Sequence, residues 1–355
     1  MTRVRGIDAL RGIGALAVFG CHINQYWAFL HLPGKLPQLS ALAAHGVDLF
    51  IVISGFCLAL PMTRHRPAVD AIPFWKRRAL RILPAYYVAL LAAFALAALP
   101  PTWPLLAQSP AGGGDLAAYA LFVQAWIPST TGAINGSLWS VSLEVHLYLL
   151  FPLLVAWWRR WGLWSLLAAS FLLSVAWSAL GPLAPGTALG YSFTLPDRLS
   201  QFVAGMCCAW VFTHRRTLQR RWLVALLAVG LVMAAAVDTA HIHLGASVVW
   251  AIPCAAAVLL FTGPVGDWFA HTPMDGFGLR SYSFYLVHQP VIQLAAPLVA
   301  LLPSAWPVYW LVGGAVVLLV TTLVARVLYR WVELPSHRLS RKARTGRAGV
   351  EPVGG

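Results

Sequence analysis

DALRGIGALAVFGCHINQYW, residues 8–27, is the stretch on which the fold turns. It runs without a proline or a charge cluster for the ~20 residues that a helix rising 1.5 Å per residue needs to cross ~30 Å of hydrocarbon. Yet Arg11 stands near its start and His22 eleven residues later, near its middle. The rest of the chain shows that this helix has company. With 59% hydrophobic residues and only 10% charged over 355 residues, the chain is too apolar to leave its helices in water. The reading is an all-α, polytopic membrane protein with about ten transmembrane helices in one bundle. The spans fall at 9–30, 44–62, 79–100, 137–157, 163–181, 199–213, 222–238, 247–263, 280–301 and 308–330. Residues 116–127, flanked by Gly112, Gly113, Gly114 and Pro128, read as an interfacial or re-entrant segment. Residues 1–335 form the membrane domain and 336–355 a basic, disordered cytoplasmic tail.

Lys and Arg concentrate on the cytoplasmic side of membrane proteins. With the N-terminus inside, the cytoplasmic connections take Arg64, Arg66, Lys76, Arg77, Arg78 and Arg81, then Arg159 and Arg160, then Arg215, Arg216, Arg220 and Arg221. The tail adds Arg338, Arg341, Lys342, Arg344 and Arg347, while Lys35 and Arg198 fall on the opposite side. Both termini are therefore expected in the cytoplasm of a bacterial inner membrane. The net charge of +14 is accounted for by orientation and by attraction to anionic membrane lipids, so no nucleic acid is needed as a partner. The N-terminus reads as an uncleaved signal-anchor. The five cysteines sit in apolar spans without C-x-x-C or zinc spacing, and no metal is expected. Nothing in the sequence sets the oligomeric state, a homodimer included.

Eleven residues turn a helix through about 1100°, which leaves Arg11 and His22 ~20° apart in azimuth and ~16 Å apart in depth. They share one face, and a midplane histidine is costly unless it faces a bundle interior or a wet cavity. A second focus is GSLWSVSLEVHLYLLFPLL, residues 136–154. Ser137, Ser140, Glu144, Tyr148 and Phe151 fall within roughly 80° of one another on the wheel. Glu144, the one glutamate inside those spans, needs a partner, and a histidine is the expected one. His146 lies ~160° from that stripe, at another helix contact. His45 and Asp48 open the second span, where an acid can simply favour a helix N-terminus. Ser281, Tyr285 and His288 share a face, and Pro290 is expected to kink their helix and free a carbonyl toward a cavity. Arg78 and Arg81, at i and i+3, can grip a phosphate or anchor the helix at the interface.

Taken in order, these motifs strongly resemble the acyltransferase-3 family of integral membrane O-acyltransferases. They are Arg11 with His22, G-V-D-x-F-x-x-x-S-G-F (46–56), R-x-x-R (78–81), S-L-W-S-x-S-x-E-x-x-x-Y-L-L-F-P (137–152), S-Y-S-x-Y-L-x-H-x-P (281–290) and V-E-x-P (332–335). The similarity runs from Arg5 to about Arg338. It implies transfer of an acyl group, usually acetyl from acetyl-CoA, to a hydroxyl of a carbohydrate or glycoconjugate at or across the membrane. It makes His22 the catalytic histidine, as base or transient acyl carrier, with Glu144 as supporting acid. It makes Arg11, Arg78 and Arg81 contacts to the phosphates of acyl-CoA. Asp48, Ser137, Ser140, Tyr148, Tyr285 and His288 are expected on the acceptor side or in support, with the acceptor approaching near Asp48 and Glu144. Family members often carry a second acid or Gln-Phe where Val145, His146 and Leu147 stand here, which leaves the role of His146 open. The rival reading is a proton-coupled transporter or flippase of a lipid-linked sugar. It lacks support from an inverted repeat of broken helices and has no use for an R-x-x-R donor site.

Overall fold

The computed structural model describes residues 4–27, 32–64, 67–107, 109–184, 186–214, 219–303 and 305–345. Arg66, Arg215, Arg216, Arg347, the end of the first expected span and the tail from 346 onward lie outside the described residues. Among the described residues the secondary structure is helical, with no strand. The long helices are α1 (Arg5–Tyr26), α2 (Gly46–Ala59), α3 (Ala71–Ala98), α4 (Trp139–Trp161), α5 (Leu163–Leu180), α6 (Leu195–His214), α7 (Arg220–Thr239), α8 (Ala246–Phe261), α9 (Ser281–Val299), α10 (Gly314–Leu328) and α11 (Leu334–Thr345).

Each expected span coincides with a helix, but seven stretches among the described residues are long and apolar enough to cross a membrane. The other three are α6, α8 and α9. Helix α8 has 16 residues, whereas α6 carries buried Asp197, Arg198 and Gln201, and α9 carries buried His288, Gln289 and Gln293. Such polar side chains are tolerated at depth only when neighbouring helices surround them. In α6 that enclosure is tight: a Cβ on Gly205 would meet the Val52 carbonyl of α2 at 2.0 Å, and one on Gly55 of α2 would meet the Phe202 carbonyl at 1.9 Å. Only glycine lets these two backbones approach so closely, the usual device of membrane helix pairs.

Prolines inside helices leave carbonyls four residues back without an intrahelical partner. Pro290 lies within α9, and the carbonyl it frees, on Leu286, accepts from Asn135 Nδ2 at 3.1 Å. It is thus capped by protein rather than aimed into a cavity, and α9 continues to Val299. Pro152 in α4 frees the Tyr148 carbonyl, which accepts from Trp75 Nε1 at 3.0 Å.

Residues 113–126 fold as a short helix (Gly113–Ala120) and a 3-10 turn, far below spanning length. Tyr86 and Tyr87 of α3 donate to the carbonyls of Tyr119 and Ala120, both at 2.9 Å, and so hold the segment against the bundle. Helix α10 is flanked by π-helical turns at Tyr309–Gly313 and Tyr329–Glu333. Residues 336–345, expected as the start of a disordered tail, continue α11, which runs to Thr345. Its Ser340 Oγ donates to the Arg77 carbonyl at 2.9 Å, which ties it to the start of α3.

Candidate active site

The start of α1, the turn after α2, the start of α3, the start of α7 and α11 surround one cavity of about 1560 Å³. That exceeds the few hundred to ~1,000 Å³ usual for small-ligand pockets. Arg11, Arg78 and Arg81 line it, and so do Ser140, Glu144, Tyr148 and Tyr285, whereas His22 does not. Arg11 Nη1 bonds Asp8 Oδ1 at 3.2 Å, and its Nη2 lies 3.5 Å from Cys57 Sγ. The Arg78 guanidinium stands 5.5 Å from the Phe74 ring centroid and 5.3 Å from that of Tyr148. Among the described residues neither Arg78 nor Arg81 has a carboxylate in salt-bridge range.

Glu144 does not pair with a histidine. Tyr148, one turn further along α4, donates to its Oε1, and Ser54 Oγ of α2 reaches the same oxygen at 3.4 Å. The carboxylate lines the arginine cavity. Two neutral donors solvate it while Arg78 sits across the Tyr148 ring, which lowers the cost of holding this half-buried carboxylate.

His22 finds its partner on α9. Its Nδ1 lies 2.7 Å from His288 Nε2, and His288 Nδ1 lies 2.6 Å from the Tyr285 carbonyl. A carbonyl can only accept, so His288 carries its proton on Nδ1 and presents Nε2 as an acceptor. With both rings neutral, His22 then donates from Nδ1 and its Nε2 carries the free lone pair. That nitrogen has no partner among the described residues. The two rings stack at 4.9 Å, with His288 fully buried. Neither histidine lines the arginine cavity; Tyr285 and Phe50 do, their rings edge to face at 5.9 Å. The Tyr285 hydroxyl donates to the Ser137 carbonyl at 3.0 Å and accepts from Ser140 Oγ at 2.8 Å. Tyr285 thus forms the wall between cavity and histidine pair, and its backbone fixes the tautomer behind it. Ser137 also sits behind that wall, its N–H donating to Gln289 Oε1 at 2.6 Å and its Oγ to Asn135 Oδ1 at 2.6 Å.

Asp48 belongs elsewhere. It bonds Arg198 of α6 and His45, and His45 Nε2 reaches Asp238 Oδ2 at 2.8 Å. Arg198 Nε is also 3.3 Å from Asp197 Oδ2. This closed charge cluster does not touch the cavity, so Asp48 is no free acid for an acceptor. His146 is half-buried with its ring 6.1 Å from Trp126, at a separate helix contact.

Several lining residues carried no role in the sequence reading. Ser54 and Glu333 were visible only as letters inside longer motifs. Glu333, at the second π-helical turn, is buried and accepts from Ser283 Oγ, with His337 Nε2 at 3.6 Å. Arg64, Arg220 and Arg338 had been read only as orientation charges, yet all three line the cavity. The α2–α6 approach and the 266-residue separation of His22 from His288 leave no local pattern to find.

The family described as an acyltransferase domain matches residues 4–326. Acyltransferase MdmB of Streptomyces mycarofaciens is 30% identical over 330 residues, covering 82% of this chain and 80% of that protein. O-acetyltransferase OatA of Staphylococcus aureus strain NCTC 8325 / PS 47 is 25% identical, covering 95% of this chain and 58% of its own length. Peptidoglycan O-acetyltransferase OatA of Listeria monocytogenes is 24% identical over 94% of this chain and 55% of that protein. The chain thus spans a little over half of the OatA proteins it matches. No solved structure matches it. By the extent of the family match and the order of its motifs, the chain belongs to the acyltransferase-3 family of integral membrane acyltransferases.

Proposed function

We propose that this protein moves an acetyl group from acetyl-CoA, taken up on the cytoplasmic side of a bacterial inner membrane, to a hydroxyl of a cell-surface carbohydrate. The observation that carries this reading is the His22–His288 pair beside the arginine cavity. The His22 ring is held by His288 with its second nitrogen left without a protein partner among the described residues, one wall away from a basic volume large enough for a nucleotide thioester. The acceptor class follows the relatives, two of which are named O-acetyltransferases and one of those a peptidoglycan O-acetyltransferase.

The donor's pyrophosphate sits among Arg11, Arg78 and Arg81, where guanidinium forks match phosphate oxygens. Its pantetheine arm runs toward the Phe50 and Tyr285 wall, which must yield for the thioester to reach His22, at a depth that the ~16 Å rise from Arg11 to His22 sets. His22 Nε2 takes the proton from the acceptor hydroxyl as that oxygen attacks the thioester carbonyl. The tetrahedral intermediate collapses, the C–S bond breaks, and the departing thiolate recovers the proton from His22. His288 is a positioning residue: it holds the tautomer and the ring plane. Glu144 acts in support, keeping Tyr148 beneath Arg78.

The test is transfer from radiolabelled acetyl-CoA to soluble peptidoglycan fragments by the protein in proteoliposomes, with release of free CoA thiol followed in parallel. Label on the glycan, lost in His22→Ala while the variant still binds CoA, supports the assignment. Movement of a lipid-linked sugar across the bilayer without acyl transfer would instead favour a flippase.

A further inference from the structure

The cavity holds more cations than a pyrophosphate needs. Six arginines line it, Arg11, Arg64, Arg78, Arg81, Arg220 and Arg338, against three acids, Asp8, Glu144 and Glu333. Those acids are engaged from within: Asp8 by Arg11, Glu144 by Tyr148 and Ser54, Glu333 by Ser283. The arginines fall into two tiers. Arg11, Arg78 and Arg81 are half-buried inside the bundle, whereas Arg64, Arg220 and Arg338 are exposed at the rim. Two packing contacts fix the rim. Thr63 and Thr213 share a hydroxyl hydrogen bond of 2.8 Å, which joins the end of α2, followed at once by Arg64, to the end of α6. Arg220 opens the next helix, α7, and Leu223 one turn on also lines the cavity. On the facing side, Ser340 anchored to the Arg77 carbonyl brings α11 and Arg338 beside Arg78.

The outer tier thus gathers three guanidinium groups from three separate elements, and among the described residues none of the three has an ion-pair partner. Arginines that merely anchor helices in headgroups point outward to lipid, whereas these face an open volume continuous with the deeper tier. Coenzyme A carries its anionic groups in two places, a pyrophosphate next to the pantetheine arm and a phosphomonoester on the ribose. We infer that Arg64, Arg220 and Arg338 form a second phosphate subsite, which takes the ribose 3′-phosphate of the donor while the inner arginines take the pyrophosphate. This inference rests on the acyl-CoA reading above and extends it to donor choice. A phosphopantetheine arm borne on a carrier protein has no such phosphomonoester and forgoes the rim. A phosphomonoester headgroup of an anionic lipid has the same chemistry, so the experiment must separate the two sources.

Initial rates are measured with acetyl-CoA and with acetyl-3′-dephospho-CoA, in nanodiscs of phosphatidylcholine alone and of phosphatidylcholine with phosphatidic acid. The wild type is expected to show a KM for the dephospho donor about 10- to 100-fold higher, the effect of losing one or more charge-assisted hydrogen bonds. It should do so in both lipid compositions and at similar kcat. In Arg64→Gln/Arg220→Gln/Arg338→Gln the KM for acetyl-CoA rises toward the dephospho value, so that the ratio falls to about one. Equal KM values for the two donors in the wild type overturn the inference and leave the acyl-CoA reading standing. So does a triple variant that keeps the wild-type ratio. A variant that loses only a response to phosphatidic acid assigns the rim to a lipid headgroup and overturns the inference too. Turnover of neither donor by folded protein would remove the acyl-CoA reading, and the subsite with it.

Discussion

The two ends of this helix bundle hold the same residue types and use them in opposite ways. At one end Asp48, Arg198, His45, Asp238 and Asp197 close on one another, each charge answered by a neighbour within bonding distance. At the other end Arg78 and Arg81 face an open cavity without a carboxylate of their own. Charges that neutralise one another in a low-dielectric interior hold helices in register but leave nothing over for a ligand. Charges kept apart around a void carry an unmet electrostatic demand, and an anionic ligand meets it. The lesson is that an intramembrane charge marks a ligand site only when the fold withholds its partner.

The contrast can be broken in several places. The largest effect is expected from His22→Ala, which removes the proposed base and should lower acyl transfer by about 10²- to 10⁴-fold. Thermal stability in detergent should stay near that of the wild type, because His22 is only partly buried and donates one hydrogen bond. His288→Asn should reproduce part of that loss and shift the pH–rate profile, a change that a purely structural residue would not cause. Next comes the closed end. Arg198→Ala takes the ion-pair partner from Asp197 and leaves Asp48 with His45 as its one ion-pair partner, and breaking a buried ion pair in this way costs about 3–5 kcal/mol. It should lower the unfolding temperature sharply, with donor affinity retained in whatever protein stays folded. Unchanged stability would mean that the cluster is wet and not a clamp. The smallest effect belongs to Tyr148→Phe. It removes one donor from Glu144 but leaves Ser54, so a loss of about 1–3 kcal/mol at most, read in kcat/KM, is expected. A loss as deep as that of His22→Ala would promote Tyr148 from support to chemistry.

The helices were legible because the bilayer dictates their length: apolar run length marked where each helix lies. The count was less legible at α6 and α9, where buried Arg198, Gln201, His288 and Gln289 dilute the apolar signal for the very reason that they work inside the bundle. In the site, helical periodicity grouped Arg11 with His22, and Ser140 with Glu144 and Tyr148. It could say nothing about which helix faces which. Glu144 was therefore matched to a histidine by chemistry alone, whereas packing gives it Tyr148 and Ser54 and gives His22 to His288. Asp48 was expected on the acceptor side or in support, and the fold pairs it with Arg198 and His45. Such errors share one cause: local pattern fixes the face of a helix, and only tertiary packing fixes its neighbour.

The central claim is that the open end binds an acyl-CoA through cations the fold leaves unpaired. Its most direct test is the affinity of the purified protein in nanodiscs for acetyl-CoA, set against the Arg78→Ala/Arg81→Ala variant. The account predicts specific, salt-sensitive binding that falls by about 100-fold or more in the variant, which unfolds at the wild-type temperature. Equal binding by both proteins, or none by folded wild type, would contradict it.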